Sequence, residues 1–563
     1  MRLTLVYSLR LVSVPLLAFF LTPTVTGAAT FTITDFGAVA GDGIDDRAAI
    51  QATLDAACSA VSGGDTDVEV VVPAGVFDLE KGPEPGSTEP WVILPLDCGG
   101  FTLRGEPHPT GDAGGLSTLR LADSQGSFES ILATPDFNEP LDNFILRDLT
   151  LDGNGANNPI IGGDDALADL LRDRRHALRT YLGSGVHVES ARFTGWRTSN
   201  VLFFAGSAVA NISVKDSRFD AVGQPPGVGL DWNHITIYAL SDGALIDGNT
   251  FESLGPGTFG ARAAVQIQGS DQTVRGNRVQ DFTTGVNLAA ATSIGLDGAE
   301  VESNQFLGVA DGVRLRASVS TGVPNGTVLL ENAAIRSNRI EIAVDAWRGT
   351  QDPDEQANRG VSLVETSTGG LANLEITGNS ITFTDFGAAP RNYDRDSAGV
   401  RLVAEAVPDL PIQGLTISGN TIRNALAKGI HIAAALTAGA LIEANRIVDA
   451  GVGPASLTIF ERSAFEFEGS YGDVDVLDTC IVDADPAGPR LAQTLLLRPT
   501  SNSGNRILGT AIELAGGSLP FLVTVGLTGS PWTIQPPTSP CPGLFADGFE
   551  FGDTSAWTAT VTQ

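Results

Sequence analysis

Along most of the chain one short pattern recurs: an apolar residue, two small or polar residues, Asn, any residue, then an apolar residue again. It reads Ile246-Asp247-Gly248-Asn249-Thr250-Phe251, and returns from Val274 to Val279 around Asn277, Val301 to Phe306 around Asn304 and Ile335 to Ile340 around Asn338. It continues from Ile376 to Ile381 around Asn379, Ile417 to Ile422 around Asn420 and Ile442 to Ile447 around Asn445. Val214 to Phe219 reads as an earlier copy with Asp216 in the Asn place, and Gly504-Asn505-Arg506-Ile507 as a later one. The uneven spacing of the copies excludes helical solenoids of fixed period.

A second alternation follows the copies: Gly185-Val186-His187-Val188, Gly285-Val286-Asn287-Leu288, Gly312-Val313-Arg314-Leu315, Gly360-Val361-Ser362-Leu363, Gly399-Val400-Arg401-Leu402 and Gly429-Ile430-His431-Ile432. Apolar residues at period two mark strands with one buried face. Together the two patterns predict an all-β chain, a single-stranded right-handed parallel β-helix. Like residues then stack at about 4.8 Å, and an inward Asn at a tight turn hydrogen-bonds its own copy in the next coil. A propeller would need hairpin turns at regular spacing, and their dipeptides are missing.

Near the N-terminus, Ile33-Thr34-Asp35-Phe36-Gly37, then Gly41-Asp42-Gly43-Ile44-Asp45-Asp46 and Ile50-Gln51, precede Val70-Val71-Val72-Pro73-Ala74-Gly75-Val76-Phe77. Asp45 or Asp46 is expected to cap a helix whose Ala49, Ile50, Thr53, Leu54 and Ala57 form one stripe. That helix would cover the open first coil and its unpaired strand edges. This segment resembles the N-terminal signature of the pectate lyase superfamily, which implies a β-helix with an N-terminal capping helix and a tendency toward polysaccharide substrates. The resemblance covers only the first part of the mature chain. The Asn-Thr-Asp, Gly-His-Gly and Arg-Ile-Lys set of polygalacturonases is absent, as are the Arg-rich signatures of calcium-dependent pectate lyases. Asp231-Trp232-Asn233-His234 only faintly echoes the Trp-Ile-Asp-His element of the latter. The resemblance therefore implies an architecture and not a reaction.

The organisation expected is a signal peptide over 1–29, the cap and first coils over 30–100, and β-helix repeats over 101–454. C-terminal coils or a small β extension follow over 455–535, then a Pro-rich linker and short tail over 536–563. The leader rests on Arg2 and Arg10 beside the apolar run Leu11 to Phe20, followed by Gly27, Ala28 and Ala29, and it predicts a secreted or cell-surface protein. The tail around Phe545 to Trp557 resembles a short ending of exported bacterial proteins, read as an export or attachment element. No later run is long enough to span a bilayer.

The formal charge is -32, and losing the leader, which carries no acid, makes the chain more negative still. Such a field repels nucleic acid and anionic membranes, so a polyanionic substrate would need a local basic patch or a bridging divalent cation. Calcium is one such cation; no loop of recognised spacing identifies a site for it, and the metal question stays open. Cys58, Cys98, Cys480 and Cys541 are an even set in an export context, and pairing Cys58 with Cys98 and Cys480 with Cys541 closes the shorter loops. The chain is expected to be a monomer or trimer.

If the Val, Ile and Leu of the second strands face inward, the residues between them form an outward column of His187, Thr236, Gln266, Asn287, Arg314, Ser362, Arg401 and His431. Beside it stand Glu189, Tyr238, Gln268 and Arg316, with His234 one step before. Sugars are held by planar hydrogen-bonding groups and aromatic faces. Trp196, Asp231, Trp232, Arg262, Gln266, Gln268, Arg314 and Arg316 are the candidate substrate contacts, and His187, Glu189, His234 and Tyr238 the candidate catalytic groups. A hydrolase needs two carboxyl groups about 5 to 9.5 Å apart, and only Glu189 stands on this face. A lyase needs a base for the proton beside a uronic carboxylate and a cation to stabilise the carbanion, so elimination on an acidic glycan is the favoured reading. A glycoside hydrolase and a non-catalytic glycan-binding β-helix are the alternatives. The insertion near 164–183 reads as a helix carrying Arg172, Arg174, Arg175, His176 and Arg179 toward the groove edge.

Overall fold

In the computed structural model of the chain, the short strands stack into three parallel sheets. The structure describes residues 29–80, 92–125, 130–134, 139–158, 176–197, 200–223, 235–254, 263–344, 358–364, 366–384, 397–452, 462–483, 491–514, 522–524, 533–535 and 541. Sheet A runs from Thr30–Thr32 to Thr533–Gln535, sheet B from Gly75–Leu79 to Ala511–Leu514, and sheet C from Val92–Pro95 to Leu522–Thr524. One coil shows the rule: Leu245–Asp247 lies in A, Thr250–Ser253 in B and Ala263–Ser270 in C, and Thr273–Arg275 opens the next coil in A. Parallel strands need a crossover, and here the other two sheets provide it, which gives the right-handed parallel β-helix expected from the repeats. The coils continue past Asn445, with Ser463–Gly472, Val474–Leu477 and Cys480–Asp483 joining C, A and B.

The interior is a set of stacked columns. Ile246, Val274, Val301, Ile335, Ile376, Ile417 and Ile442 form one column, all buried. After each of these the chain turns from A to B through a residue in the left-handed region, Gly248 at φ 68° or Ser337 at φ 55°, and then presents the Asn inward. Asn338 is typical. Its Nδ2 donates to Val301 O at 2.9 Å and to Asn379 Oδ1 at 3.0 Å, while its Oδ1 accepts from the N–H and Nδ2 of Asn304. Each Asn thus satisfies the buried turn of its neighbour, which is why the residue recurs where a Leu would leave backbone groups unpaired.

The ladder corrects two readings. Asp216, at φ 48°, is the left-handed turn residue, and Ser217 takes the ladder place, its N–H donating to Asn249 Oδ1 at 2.9 Å. Asn505 lies before a sheet A strand instead, where its Oδ1 accepts from Val474 N–H at 3.0 Å. Both errors arise because the motif's Gly-Asn and Asp-Ser turns look alike in sequence at either end of a sheet A strand.

On sheet C the recurring glycines let the strand press against the inner stack of sheet B. A Cβ at Gly360 would lie 2.7 Å from Ile381 Cδ1, so no side chain fits there. At the N-terminal end α1, Arg47–Gly63, covers the first coil with Ile50, Thr53, Leu54 and Ala57. Of the two acids, Asp46 sits at the N-cap position without a side-chain capping bond, and Asp45 takes the first N–H of the helix. Asp46 Oδ1 accepts from Val39 N–H at 2.8 Å, and Asp45 Oδ1 from Arg47 N–H and Glu80 N–H, so both tie the helix start to neighbouring loops. The disulfides pair as expected, Cys58 with Cys98 and Cys480 with Cys541.

The expected insertion helix is not seen where the structure describes it: His176–Ser184 is a sheet C strand with Ala177 and Leu178 in the core. A short apolar run fits both periods, and coil stacking decides between them. Residues 164–175 of that insertion, the leader up to residue 28 and the tail after Cys541 lie outside the described residues. Among the described residues no helix is long and apolar enough to cross a membrane.

Candidate active site

The outward face of sheet C carries one continuous column, fixed by the register of successive coils. It runs Arg179, Phe203, Tyr238, Gln266, Asn287, Arg314, Ser362, Arg401, His431 and Glu466. Each stands between inward apolar residues, as Gln266 does between Val265 and Ile267, so its side chain must point away from the core. Six members of the expected column, Gln266, Asn287, Arg314, Ser362, Arg401 and His431, are in place. Thr236 is not, because Tyr238 occupies its rung.

His187 and Glu189 are not on this face. Their strand, His187–Glu189, belongs to sheet A, where Val188 pairs with Leu146 and Val214, and His187 Nδ1 lies 2.7 Å from Ser213 Oγ. Gly185-Val186 imitates the glycine-led strands of sheet C, but Gly185, at φ 75°, precedes a sheet A strand instead. Trp196 is no sugar platform: it is buried, and its Nε1 donates to Leu151 O at 3.0 Å. Asp231, Trp232, His234 and Arg262 lie outside the described residues.

The structure does place Tyr238, Gln266, Gln268, Arg314 and Arg316 on one face of sheet C, spread over four successive coils. Gln268 and Arg316 stand two residues further along their strands than Gln266 and Arg314. Next to Tyr238 is an aromatic ladder that the sequence reading missed. The His176 ring stacks on Phe203 at 4.8 Å, Phe203 stacks on Tyr238 at 5.3 Å, and Tyr181 meets Phe203 edge-on. Arg179 lies over the Tyr181 ring at 5.1 Å. Tyr181, Phe203, Tyr238, Gln268 and Asn287 are half-buried and Arg316 is exposed, so this stretch is open to a ligand. Arg314 is buried and its Nε is 2.6 Å from Asp311 Oδ2, whereas Arg316 is exposed and stands three coils on from Tyr238, whose phenol its charge still reaches.

Burial raises the Tyr238 phenol above its ordinary value, while a hydrogen bond with Gln266 and the charge of Arg316 act in the opposite sense. Gln266 is in turn held by Asn287, whose Nδ2 donates to Gln266 Oε1 at 2.8 Å. The arrangement offers flat faces for sugar rings, amides for hydroxyls, a cation for an acidic group, and a phenol for proton transfer.

Further along the same face is a second cluster, which the sequence reading missed because it ended the regular repeat at Asn445. Lys428 Nζ is 2.6 Å from Glu466 Oε2, His431 Nε2 is 3.3 Å from Glu468 Oε1, and Arg498 reaches both glutamates at 3.5 Å. The alternation Phe465-Glu466-Phe467-Glu468 was the available signal. Burial and the neighbouring Lys428 ammonium press His431 down to about 3, so it is neutral in the folded chain. Burial raises Glu466, and the contact with His431 lowers Glu468. Among the described residues, His431, Glu466 and Glu468 have the spacing of metal ligands. The Lys428 ammonium and Arg498 guanidinium already take the cation's place there, and calcium would ask for six to eight oxygens, so the trio does not fit that ion.

The depressed His431 has a measurable consequence. Its unfolded form binds a proton near 6.5 and its folded form only near 3, so the unfolded state gains protons first as pH falls. Relative to His431→Gln, the wild type is expected to lose stability between pH 6.5 and 3, with a slope approaching about 1.4 kcal/mol per pH unit. Denaturant unfolding of both proteins across that range checks it, and parallel curves would refute the neutral imidazole.

No family model matches the chain. It is 38% identical over 128 residues to the mannuronan C5-epimerase AlgE6 of Azotobacter vinelandii, covering 23% of this chain and 13% of that protein. It is 34% identical over 155 residues to AlgE4 of the same organism, covering 26% and 25%. The matches thus span a quarter or less of the length of these curated relatives. Among solved structures, a tailspike protein of E. coli bacteriophage HK620 in complex with a pentasaccharide superposes with a TM-score of 0.57 at 15% identity, over 86% of this chain and 78% of that one. Another structure of the same tailspike gives 0.60 over the same shares, at 15% identity. At that identity the tailspikes show the fold alone. The comparisons do not reach the pectate lyase superfamily as such.

Proposed function

We propose that the chain acts on an acidic polysaccharide lying along the outward face of sheet C, and that it removes the proton beside the carboxylate of a uronic acid residue. The observation that carries this is the alignment of Tyr238, Gln266 and Asn287 in consecutive coils of one outward face, with an aromatic ladder at one end and the exposed Arg316 one coil beyond Asn287. The mannuronan C5-epimerase matches support a polyuronate as the substrate class.

The phenolate of Tyr238, a minority form at neutral pH because burial raises the phenol, takes the C5 proton as an O–H, and the C–H electron pair passes into the carboxylate as an enediolate. Arg316 offsets the charge that builds on the carboxylate oxygens, where a preorganised cation stabilises the transition state more than the ground state. Two exits follow. A proton delivered to the other face of C5 inverts that centre, with no bond to oxygen broken. Loss of the C4–O bond instead leaves a C4–C5 double bond, and the departing alkoxide takes a proton. The epimerase matches favour the first exit. Elimination, the favoured reading of the sequence, shares the first step and differs in the fate of the enediolate. The apolar leader supports export, which would bring the protein to such a polymer.

The test is incubation of the full chain with polymannuronate in D2O. Deuterium at C5 without chain shortening is the expected result. Ultraviolet absorbance from a conjugated double bond would move the assignment to elimination. Binding with neither signal, across several polyuronates, would leave a glycan-binding β-helix and sink the catalytic reading.

A further inference from the structure

We propose that Tyr181 is a second proton-transferring group of this site, delivering a proton to the face of C5 opposite Tyr238 across a floor made by Phe203, a proposal that rests on the uronate reading of this site. The three aromatic residues come from consecutive strands of sheet C. Tyr181 stands two residues beyond Arg179, which pairs with Phe203, and Phe203 pairs with Tyr238. Residues two apart on a strand share a face, so all three side chains lie on the outward side. The Tyr181 ring meets Phe203 edge-on at 5.7 Å between centroids, and Tyr238, from the following coil, stacks on Phe203 at 5.3 Å. All three are half-buried, so a ligand can reach each of them.

The backbone is irregular at this place. Thr180 pairs with Phe204 but Leu182 with Ala208, and on the other side Leu240 pairs with Ala205 but Asp242 with Ala210. The strand Asn200–Ala210 therefore bulges relative to both neighbours directly after Phe203, and bulges re-aim the side chains beside them. Gly206 can sit against Tyr181 because it has no side chain: a Cβ there would lie 1.9 Å from Tyr181 O. Sheet B stacks aromatics too, but Phe193, Phe219 and Phe251 are closed in the core. Core packing accounts for that stack and gives no reason for two phenols on a half-open face.

Successive coils lie about 4.8 Å apart, so the coils of Tyr181 and Tyr238 are separated by about 9.6 Å. A pyranose ring seated on Phe203 then has one tyrosine toward each of its faces. Inversion at C5 needs that arrangement. The Tyr238 oxygen takes the C5 proton and the C–H pair forms the enediolate; that pair then returns to C5 and bonds the proton of the Tyr181 O–H from the opposite side. Tyr238 is left neutral and Tyr181 as phenolate, and proton exchange with water restores both. Arg179, 5.1 Å from the centre of the Tyr181 ring, offsets the charge left on that phenolate.

The test is labelling of polymannuronate in D2O at early conversion by the full chain and by Tyr181→Phe. In the wild type, deuterium is expected at C5 of the inverted residues, whereas recovered mannuronate keeps hydrogen because Tyr238 returns the proton it took. Tyr181→Phe is expected to lower inversion about 100-fold or more, while deuterium enters the mannuronate itself. Its enediolate can be reprotonated only by Tyr238, whose proton has by then exchanged with solvent. Loss of both signals together in a folded Tyr181→Phe would mean a structural role and overturns the proposal, as does undiminished inversion. Equal early labelling of mannuronate and inverted residues by the wild type also overturns it, and this measurement decides should the variant fail to fold. In each of these cases the uronate reading stands. A wild type that exchanges no C5 proton of any polyuronate overturns the functional reading itself, and the second tyrosine with it.

Discussion

Asn338→Ala is expected to destabilise the chain by about 3–5 kcal/mol, since it strips hydrogen bonds from three rungs and each buried polar group left unpaired costs about 1–3 kcal/mol. Asn338 is 1% exposed. Its removal orphans Val301 O, takes a donor from Asn379 Oδ1, and leaves Asn304 N–H and Nδ2 without their common acceptor. The site is enclosed by the Ile335 and Ile340 columns, both fully buried. Asn249→Ala should lose less, because its Oδ1 serves only Ser217 N–H. Denaturant midpoints of the two variants check the order. Equal losses would mean that the asparagines act as separate turn residues and not as a ladder.

The second large effect is expected at Lys428. Its ammonium is 8% exposed and lies 2.6 Å from a Glu466 carboxylate that is wholly buried. Lys428→Met at pH 9, above the raised Glu466 value of about 7, leaves that carboxylate without its nearest cation, and breaking one side of a buried pair typically costs about 3–5 kcal/mol. Arg498, 3.5 Å from the other oxygen of Glu466, is partly exposed and too distant to substitute fully. The double variant Lys428→Met with Glu466→Gln should recover much of the loss, because the uncompensated charge is then gone. The single variant should also suffer less at pH 5, since burial already raises Glu466 and favours its neutral form. A double variant as unstable as the single one would show that the Lys428 stem, not its charge, is what matters.

Both expectations come from residues whose patterns are plain in the sequence, but they differ in how far those patterns could be read. The asparagines were legible as a register because identical residues recur at one place relative to apolar strands, and coil stacking turns that recurrence into contact. Lys428, Glu466 and Glu468 were visible as polar residues in alternating strands. Nothing in the sequence showed that Ser463–Gly472 stacks directly on Lys428–Ala433, because the rest of a coil, with the strands Ala435–Leu436, Ala440–Glu443 and Arg446–Val448, separates them.

The candidate site divides in the same way. Tyr238, Gln266, Gln268, Arg314 and Arg316 were assigned to one outward face and are found there, because period two and a glycine-led strand fix which residues point away from the core. His187 and Glu189 were assigned to that face by the same glycine-valine signature and stand on sheet A instead. Strands of the two sheets share length, alternation and composition, so local sequence does not identify the wall of the coil to which a strand belongs. Trp196 failed for a related reason: an aromatic near a strand end can cover a coil or face solvent, and its buried bond to Leu151 fixes the former.

By itself, the sequence determined the parallel coil, its inward Asn ladder, the helix at its open end and the pairing of its cysteines. The first three follow from which residues prefer burial and how often they recur along the chain, and the cysteine pairing from the shorter loops it closes. Only the tertiary structure decided which outward side chains are neighbours, because that depends on the register between coils set by loops of unequal length. The aromatic ladder, the Asn287–Gln266 hydrogen bond and the buried Lys428–Glu466 pair are contacts between coils, made across sequence gaps that no local pattern spans.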